Sequence, residues 1–265
     1  MRKAISAEFL RAASTRAWGL HVLAGLAVGL FLTGGLIVMG PDNMNPPMPG
    51  PDTVEGVRGL LGILVLSAPI PLLLGTQLMT REFEHRTSVP TFLAEPRRHR
   101  VVMAKLVVGV ALGASYGLVL AGAATVGVFA GCAVAGFDPA LGWRPVSLAA
   151  LRMGGAMAMY TLVGVGIGSL IPRAKVCIGI AVLWFYLLES MLTAVPGAQN
   201  LYPWLPGGAA SAIAGQSFVL DAISRTAGSG AVTLLPAWGG GLVLVGYAAL
   251  AASSAMVTTL RRGIT

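Results

Sequence analysis

Apolar residues divide the chain into long hydrophobic blocks separated by short polar segments. A block of about 20 apolar residues is long enough to cross a bilayer as a helix. We therefore predict an all-α polytopic membrane protein, with a single transmembrane domain over residues 1–265. Its six transmembrane helices are expected at 18–39, 59–79, 101–135, 148–171, 176–195 and 234–260. Pro69 and Pro71 predict a kink in the second span.

Two segments outside these spans also have a helical pattern. Basic residues and a periodic apolar face in residues 1–17 predict an amphipathic helix that lies in the membrane interface. Residues 196–232 are too polar and too rich in proline to span, yet too apolar for a solvated loop. They predict short helices that re-enter the membrane from the outer side, between spans 5 and 6.

Composition strengthens the membrane assignment, and the placement of charge orients it. Only 11% of the residues are charged, against about 25% in soluble domains. With six spans, fourteen of the eighteen basic residues fall on one side: Arg2, Lys3, Arg11, Arg16, Arg81, Arg86, Arg97, Arg98, Arg100, Lys105, Arg173, Lys175, Arg261 and Arg262. The positive-inside rule then predicts that both termini are cytosolic. The formal charge of +8 is accounted for by this topology, so we expect no nucleic-acid partner.

The most highly charged stretch, residues 80–100, falls on the cytosolic side between spans 2 and 3. Thr87 or Ser88 can cap a short helix, Pro90 fits its first turn and Pro96 ends it. The stretch mixes acidic and basic side chains, as protein-docking surfaces do, whereas lipid headgroups favour positive charge alone. An ordinary positive-inside anchor is the alternative interpretation.

The sequence of this stretch, E-F-E-H-R-T-S-V-P-T-F-L-A-E-P-R-R-H-R-V-V-M-A-K, resembles the first cytoplasmic loop of ABC-2 type transporter permeases. The segment G-I-G-S-L-I-P-R-A-K is similar to the family's exit from span 4. The segments L-L-E-S-M-L and Y-P-W-L-P-G-G-A-A are similar to its span 5 and outer loop. The residues of the loop that the resemblance assigns to ATPase coupling are Glu82, Glu84, Arg86, Thr87, Phe92, Leu93, Pro96, Arg98 and Lys105. Arg86 departs from the family's usual Gly.

The resemblance implies a permease subunit of an ATP-binding cassette exporter in the bacterial plasma membrane. The short loop helix would be the coupling helix that docks onto a separate ATP-binding subunit, present in two copies. The second permease subunit would be an identical chain or a similar paralogue. The chain has no G-x-x-x-x-G-K-S/T phosphate loop, so we expect no cofactor on it and no enzymatic activity. ATP and Mg would bind to the partner.

Glu189 is the one acidic residue placed well inside a predicted span. Such residues often mark transport paths. Glu189 is therefore predicted either to line the path or to pair across a dimer. Alternatively, it lies near the outer interface and is solvated, or it is protonated and hydrogen-bonded.

Three other classes of function compete with an exporter of apolar or amphipathic compounds such as drugs, antibiotics or lipids. An ion-coupled secondary transporter would require several intramembrane acidic residues or an inverted repeat. A membrane enzyme would require a cluster of His, Asp or Glu at one membrane depth. A non-transporting membrane subunit of a regulatory or assembly complex is compatible with the same sequence.

Overall fold

The computed structural model describes residues 2–13, 16–44, 47–84, 98–171, 173–189, 191, 198–215 and 233–257. Within these ranges the regular secondary structure is helical and contains no strand. Five helical segments are long and apolar enough to cross a membrane: Trp18–Met39, Val54–Arg81, Val101–Ala135, Trp143–Leu170 and Ala237–Ala255. The structure therefore confirms the all-α class and fits a membrane-embedded protein.

The helices follow one another in the predicted order. An N-terminal helix, α1 (Arg2–Ala13), precedes α2 (Arg16–Leu30), a π-helical turn (Phe31–Gly35) and α3 (Leu36–Met39). Next come α4 (Val54–Gly62), a 3-10 turn (Ile63–Ser67), α5 (Pro69–Glu84), α6 (Arg98–Ala135) and α7 (Trp143–Leu170). Then follow α8 (Ala174–Val182), a second π-helical turn (Leu183–Leu188), a 3-10 helix (Ala198–Trp204), α9 (Pro206–Ala214) and α10 (Ala237–Val257).

The second span is interrupted just before its prolines, as predicted. Pro69 has no backbone N–H, so it cannot continue the α-helical hydrogen bonding toward Val65. The backbone N–H of Ala68 donates to the Val65 carbonyl instead, at 3.0 Å, which closes the tighter 3-10 turn. This span also begins at Val54 rather than at 59, because the Thr53 side chain accepts a hydrogen bond from the Gly56 N–H at 3.0 Å.

Three further predicted boundaries change in the structure. The sixth span, predicted from 234, begins at Ala237. The fourth span begins at Trp143 rather than at 148. Pro145 falls in its first turn, where no intrahelical N–H bond is lost. The predicted fifth span is described as α8 and its π-helical turn, and residues 192–197 lie outside the described part of the chain. It is not among the five spanning helices of the described residues, so the count of six spans stays a prediction.

Helix α7 is the centre of the bundle and packs against α5, α6 and α10. Several of its glycines lie directly against a neighbouring backbone, as the small residues of the fourth span predict. Gly154 contacts Gly117 of α6, Gly164 contacts the Leu72 carbonyl of α5, and Gly168 contacts Thr76. Gly155 is different, because it faces open space.

The outer faces of the flanking helices are apolar and exposed. Leu20, Leu23 and Leu26 project from α2, and Leu242 and Leu250 project from α10. A bilayer would cover such surfaces, because lipid chains are as apolar as leucine.

Candidate functional site

The predicted coupling loop connects α5 to α6. The backbone of Glu82 and Glu84 belongs to the last turn of α5, and Arg98 begins α6. The side chains of eight predicted coupling residues lie outside the described part of the structure: Glu82, Glu84, Arg86, Thr87, Phe92, Leu93, Pro96 and Arg98. The short helix predicted between Thr87 and Pro96 falls in the same undescribed part. These assignments stay predictions.

Lys105, the ninth predicted coupling residue, lies at the base of this loop and is only 1% exposed. Its Nζ donates one hydrogen bond to the Leu78 carbonyl of α5, at 2.8 Å. It donates a second to Oε2 of Glu8 in α1, at 2.9 Å. A buried ammonium requires such partners, because desolvation of an unpaired charge is costly. Lys105 therefore joins three helices, α1, α5 and α6.

Glu8 is the residue of this site that the sequence did not predict. It is 8% exposed, and its Oε1 also accepts a hydrogen bond from Nη1 of Arg11 at 3.4 Å. Ile5, Glu8 and Ala12 are spaced along one helical face, and this face packs toward the bundle. The sequence feature that could have identified Glu8 is its position as a lone acidic residue on the apolar face of a basic helix.

Apolar contacts around this ion pair strengthen the attachment of α1. Ala12 belongs to a buried cluster with Leu74 of α5 and with Val108 and Leu112 of α6, and Ile5 packs against it. Phe9 and Leu10 of α1 are apolar and remain exposed. Helix α1 is thus attached to the bundle through part of its surface, and its placement in the membrane interface stays a prediction.

Glu189 lies at the other end of the bundle, immediately after the π-helical turn Leu183–Leu188. The Glu189 residue is only 6% exposed, and its carboxylate has a hydrogen-bond partner. Oε1 accepts a hydrogen bond from the backbone N–H of Gly207 at 2.7 Å. Gly207 belongs to the first turn of α9, where N–H groups have no partner within the helix.

Three tyrosines lie around the Glu189 site. Tyr160 of α7 and Tyr247 of α10 are close enough to interact electrostatically with its carboxylate. The Tyr247 hydroxyl donates to the Trp204 carbonyl at 3.1 Å, and the Tyr202 hydroxyl lies 3.3 Å from Oγ of Ser211. The site therefore connects the predicted fifth span, α7 and α10 to the short helices of 198–214.

These contacts separate the interpretations of Glu189. Its burial argues against a solvated position, and the hydrogen bond from Gly207 fits one part of the protonated, hydrogen-bonded alternative. Its protonation stays a prediction. Its predicted roles in a transport path or across a dimer concern states and partners outside this single chain, and they stay predictions. The two predicted functional regions lie at separate places and share no described side chain.

Comparison with protein-family models and with curated proteins finds no match for this chain.

Proposed function

We propose that this chain is the transmembrane permease subunit of an ATP-binding cassette exporter. It would move an apolar or amphipathic compound out of the cytosol of a bacterium. The energy would come from ATP hydrolysis by two copies of a separate ATP-binding subunit. A second permease subunit, identical or similar, would complete the membrane part.

The proposal rests most on how the charged stretch is anchored. A docking loop can transmit force only if the helices on its two sides move with it. Lys105 fixes the start of α6 to the carbonyl of Leu78 in α5 and to Glu8 in α1. A push on the loop would therefore reach three helices together. An ordinary positive-inside anchor needs only exposed basic residues and has no use for a buried lysine.

The five apolar helices and the resemblance of residues 82–105 to the coupling loop of ABC-2 permeases support the same class. The exported compound would pass beside a surface with few charged groups, which favours apolar or amphipathic substrates. Within this proposal the termini and the loop face the cytosol of the bacterial plasma membrane.

The test is reconstitution with an ATP-binding subunit encoded next to this chain. We expect the two chains to co-purify, and a transported compound to stimulate ATP hydrolysis in lipid vesicles. Glu82→Ala and Arg98→Ala should each uncouple hydrolysis from export. Arg144→Ala is the matched control, because this exposed arginine lies in the first turn of α7 on the predicted outer side.

Three outcomes would contradict the proposal. Normal coupling in both loop variants would remove the docking role. Transport driven by an ion gradient without any ATPase would favour a secondary transporter. Stable co-purification with other membrane proteins, without ATP-dependent transport of any compound, would favour a regulatory or assembly subunit.

A further inference from the structure

We propose that the hydrogen bond of the Glu189 carboxylate acts as a latch. It holds helix α9 against the predicted fifth span, which consists of α8 and the π-helical turn after it, and the outer end of the bundle opens when this bond is broken. The inference goes beyond export as a function. It concerns how one end of the bundle is held closed, and it holds for any transported compound.

Helix α9 is wedged into the bundle. All of its residues except Ile213 are buried, although the helix is too short to span a membrane. It packs against α7 and α10. Gly240 of α10 lies against the Ala209 carbonyl so closely that a side chain at 240 has no room. Helix α9 therefore closes the space between two spans.

The packing of α9 is close but supplies little apolar area per residue. Its sequence, P-G-G-A-A-S-A-I-A, has Ile213 as its one large aliphatic side chain. Hydrophobic stabilisation is proportional to the apolar area removed from water, and small residues remove little. Helices that meet through small residues also interdigitate few side chains. Polar contacts should therefore decide whether α9 stays in place.

Glu189 supplies the strongest of these contacts among the described residues. The backbone N–H of Gly207, at the positive end of α9, donates a hydrogen bond of 2.7 Å to its carboxyl group. In the described part of the chain, no basic group lies within salt-bridge distance of the carboxylate. A side chain at Gly207 would overlap the carboxyl group, so this close approach requires glycine there.

The helix that carries Glu189 has several exposed apolar side chains at this end. Helix α8 packs against α5, but after it Leu183, Leu187 and Leu188 are exposed. The π-helical turn precedes Glu189 directly, and such turns are common where a helix presents a functional side chain. A small displacement of this helix would separate the carboxylate from α9, while the Tyr247 hydroxyl could still donate to the Trp204 carbonyl.

The test measures how often α9 leaves its site, by alkylation of a buried cysteine. Ser211→Cys is placed in a chain that also carries Cys132→Ala and Cys177→Ala, and the purified protein reacts with N-ethylmaleimide in detergent. Ser211 is 1% exposed, so its cysteine should react slowly. Glu189→Ala should accelerate the reaction roughly tenfold, because a hydrogen bond to a carboxylate acceptor is lost. Glu189→Gln retains an uncharged acceptor and should give a smaller increase.

Ser169→Cys is the matched control, because Ser169 is equally buried and lies at the other end of α7. Its reaction rate should not change with Glu189→Ala. Unchanged alkylation at 211, or equal acceleration at 211 and 169, would overturn the latch. If Glu189→Ala does not fold, Gly207→Ala decides by the same two rates, with Gly155→Ala as the glycine control. The measurement needs no transport, so it stands apart from the test of export.

Discussion

Lys105 places a positive charge where the bundle excludes water, and two oxygens from other helices compensate it. Removal of one partner of a buried pair leaves the other charge uncompensated. We therefore expect Lys105→Met to destabilise the purified protein by about 3–5 kcal/mol, seen as a lower midpoint of thermal unfolding in detergent.

The double variant Glu8→Gln with Lys105→Met should lose less stability than the sum of the single variants, because it leaves neither member of the buried pair charged. Arg11→Ala is the control. Arg11 is mostly exposed and contacts Glu8 at 3.4 Å, so we expect its loss to cost less than about 1 kcal/mol. Equal midpoints for Lys105→Met and Arg11→Ala would contradict a buried ion pair of structural importance.

Glu189 gives a second prediction at this scale, which depends on the proposed export. Glu189→Gln keeps the shape of the side chain and removes its charge. We expect a change in export rate or in the range of exported compounds, measured by ATP-dependent uptake into inverted vesicles. Transport and subunit assembly that both match those of the unchanged chain would exclude a role in the transport path or across a dimer.

The elements differ in how closely the sequence predicts them. The span at 18–39 and the end of α6 at Ala135 agree with the structure, because an unbroken apolar block ends there at a glycine or a polar loop. The starts of the second and fourth spans were placed too late. Val54–Arg58 and Trp143–Ser147 contain polar residues that belong to a first helical turn, and first turns tolerate them.

The contacts of the sites are less predictable than the elements. The helical period identifies the inward face of α1, but Lys105 lies 97 positions away from Glu8 in the sequence. Glu189 and Gly207 are 18 positions apart, and they meet only because α9 folds back between α7 and α10. Tertiary pairing of polar residues depends on the arrangement of all the helices, and no local pattern specifies it.

Close packing of α5 on α7 gives a prediction at the scale of elements. A side chain at Gly164 would overlap the Leu72 carbonyl. Gly164→Ala should therefore force the helices apart and cost about 1–3 kcal/mol. Gly155→Ala, on the same helix but facing open space, should be neutral or should stabilise the helix by up to about 1 kcal/mol. Thermal unfolding of the two variants gives the comparison, and equal shifts would contradict packing through glycine.

At the scale of the whole molecule, the number of spans decides on which side of the membrane the chain ends. Five spans would place the termini on opposite sides, and six would place both in the cytosol. The distribution of basic residues favours six, because Arg261 and Arg262 then join the other cytosolic arginines and lysines. Residues 80–100 follow two spans with either count, so the orientation of the N-terminus decides whether they can reach a cytosolic ATPase.

Cysteine labelling in intact cells separates these arrangements. With Cys132 and Cys177 replaced by alanine, we introduce Ser88→Cys, Thr265→Cys and, as outer controls, Asp42→Cys and Asp138→Cys, whose positions are exposed. A membrane-impermeant maleimide should label positions 42 and 138 directly, and positions 88 and 265 only after the membrane is permeabilised. Labelling of 265 but not 88 in intact cells would give an odd number of spans. Labelling of 88 would place the charged stretch outside, where no cytosolic ATPase can bind it, and would remove the proposed function together with the topology.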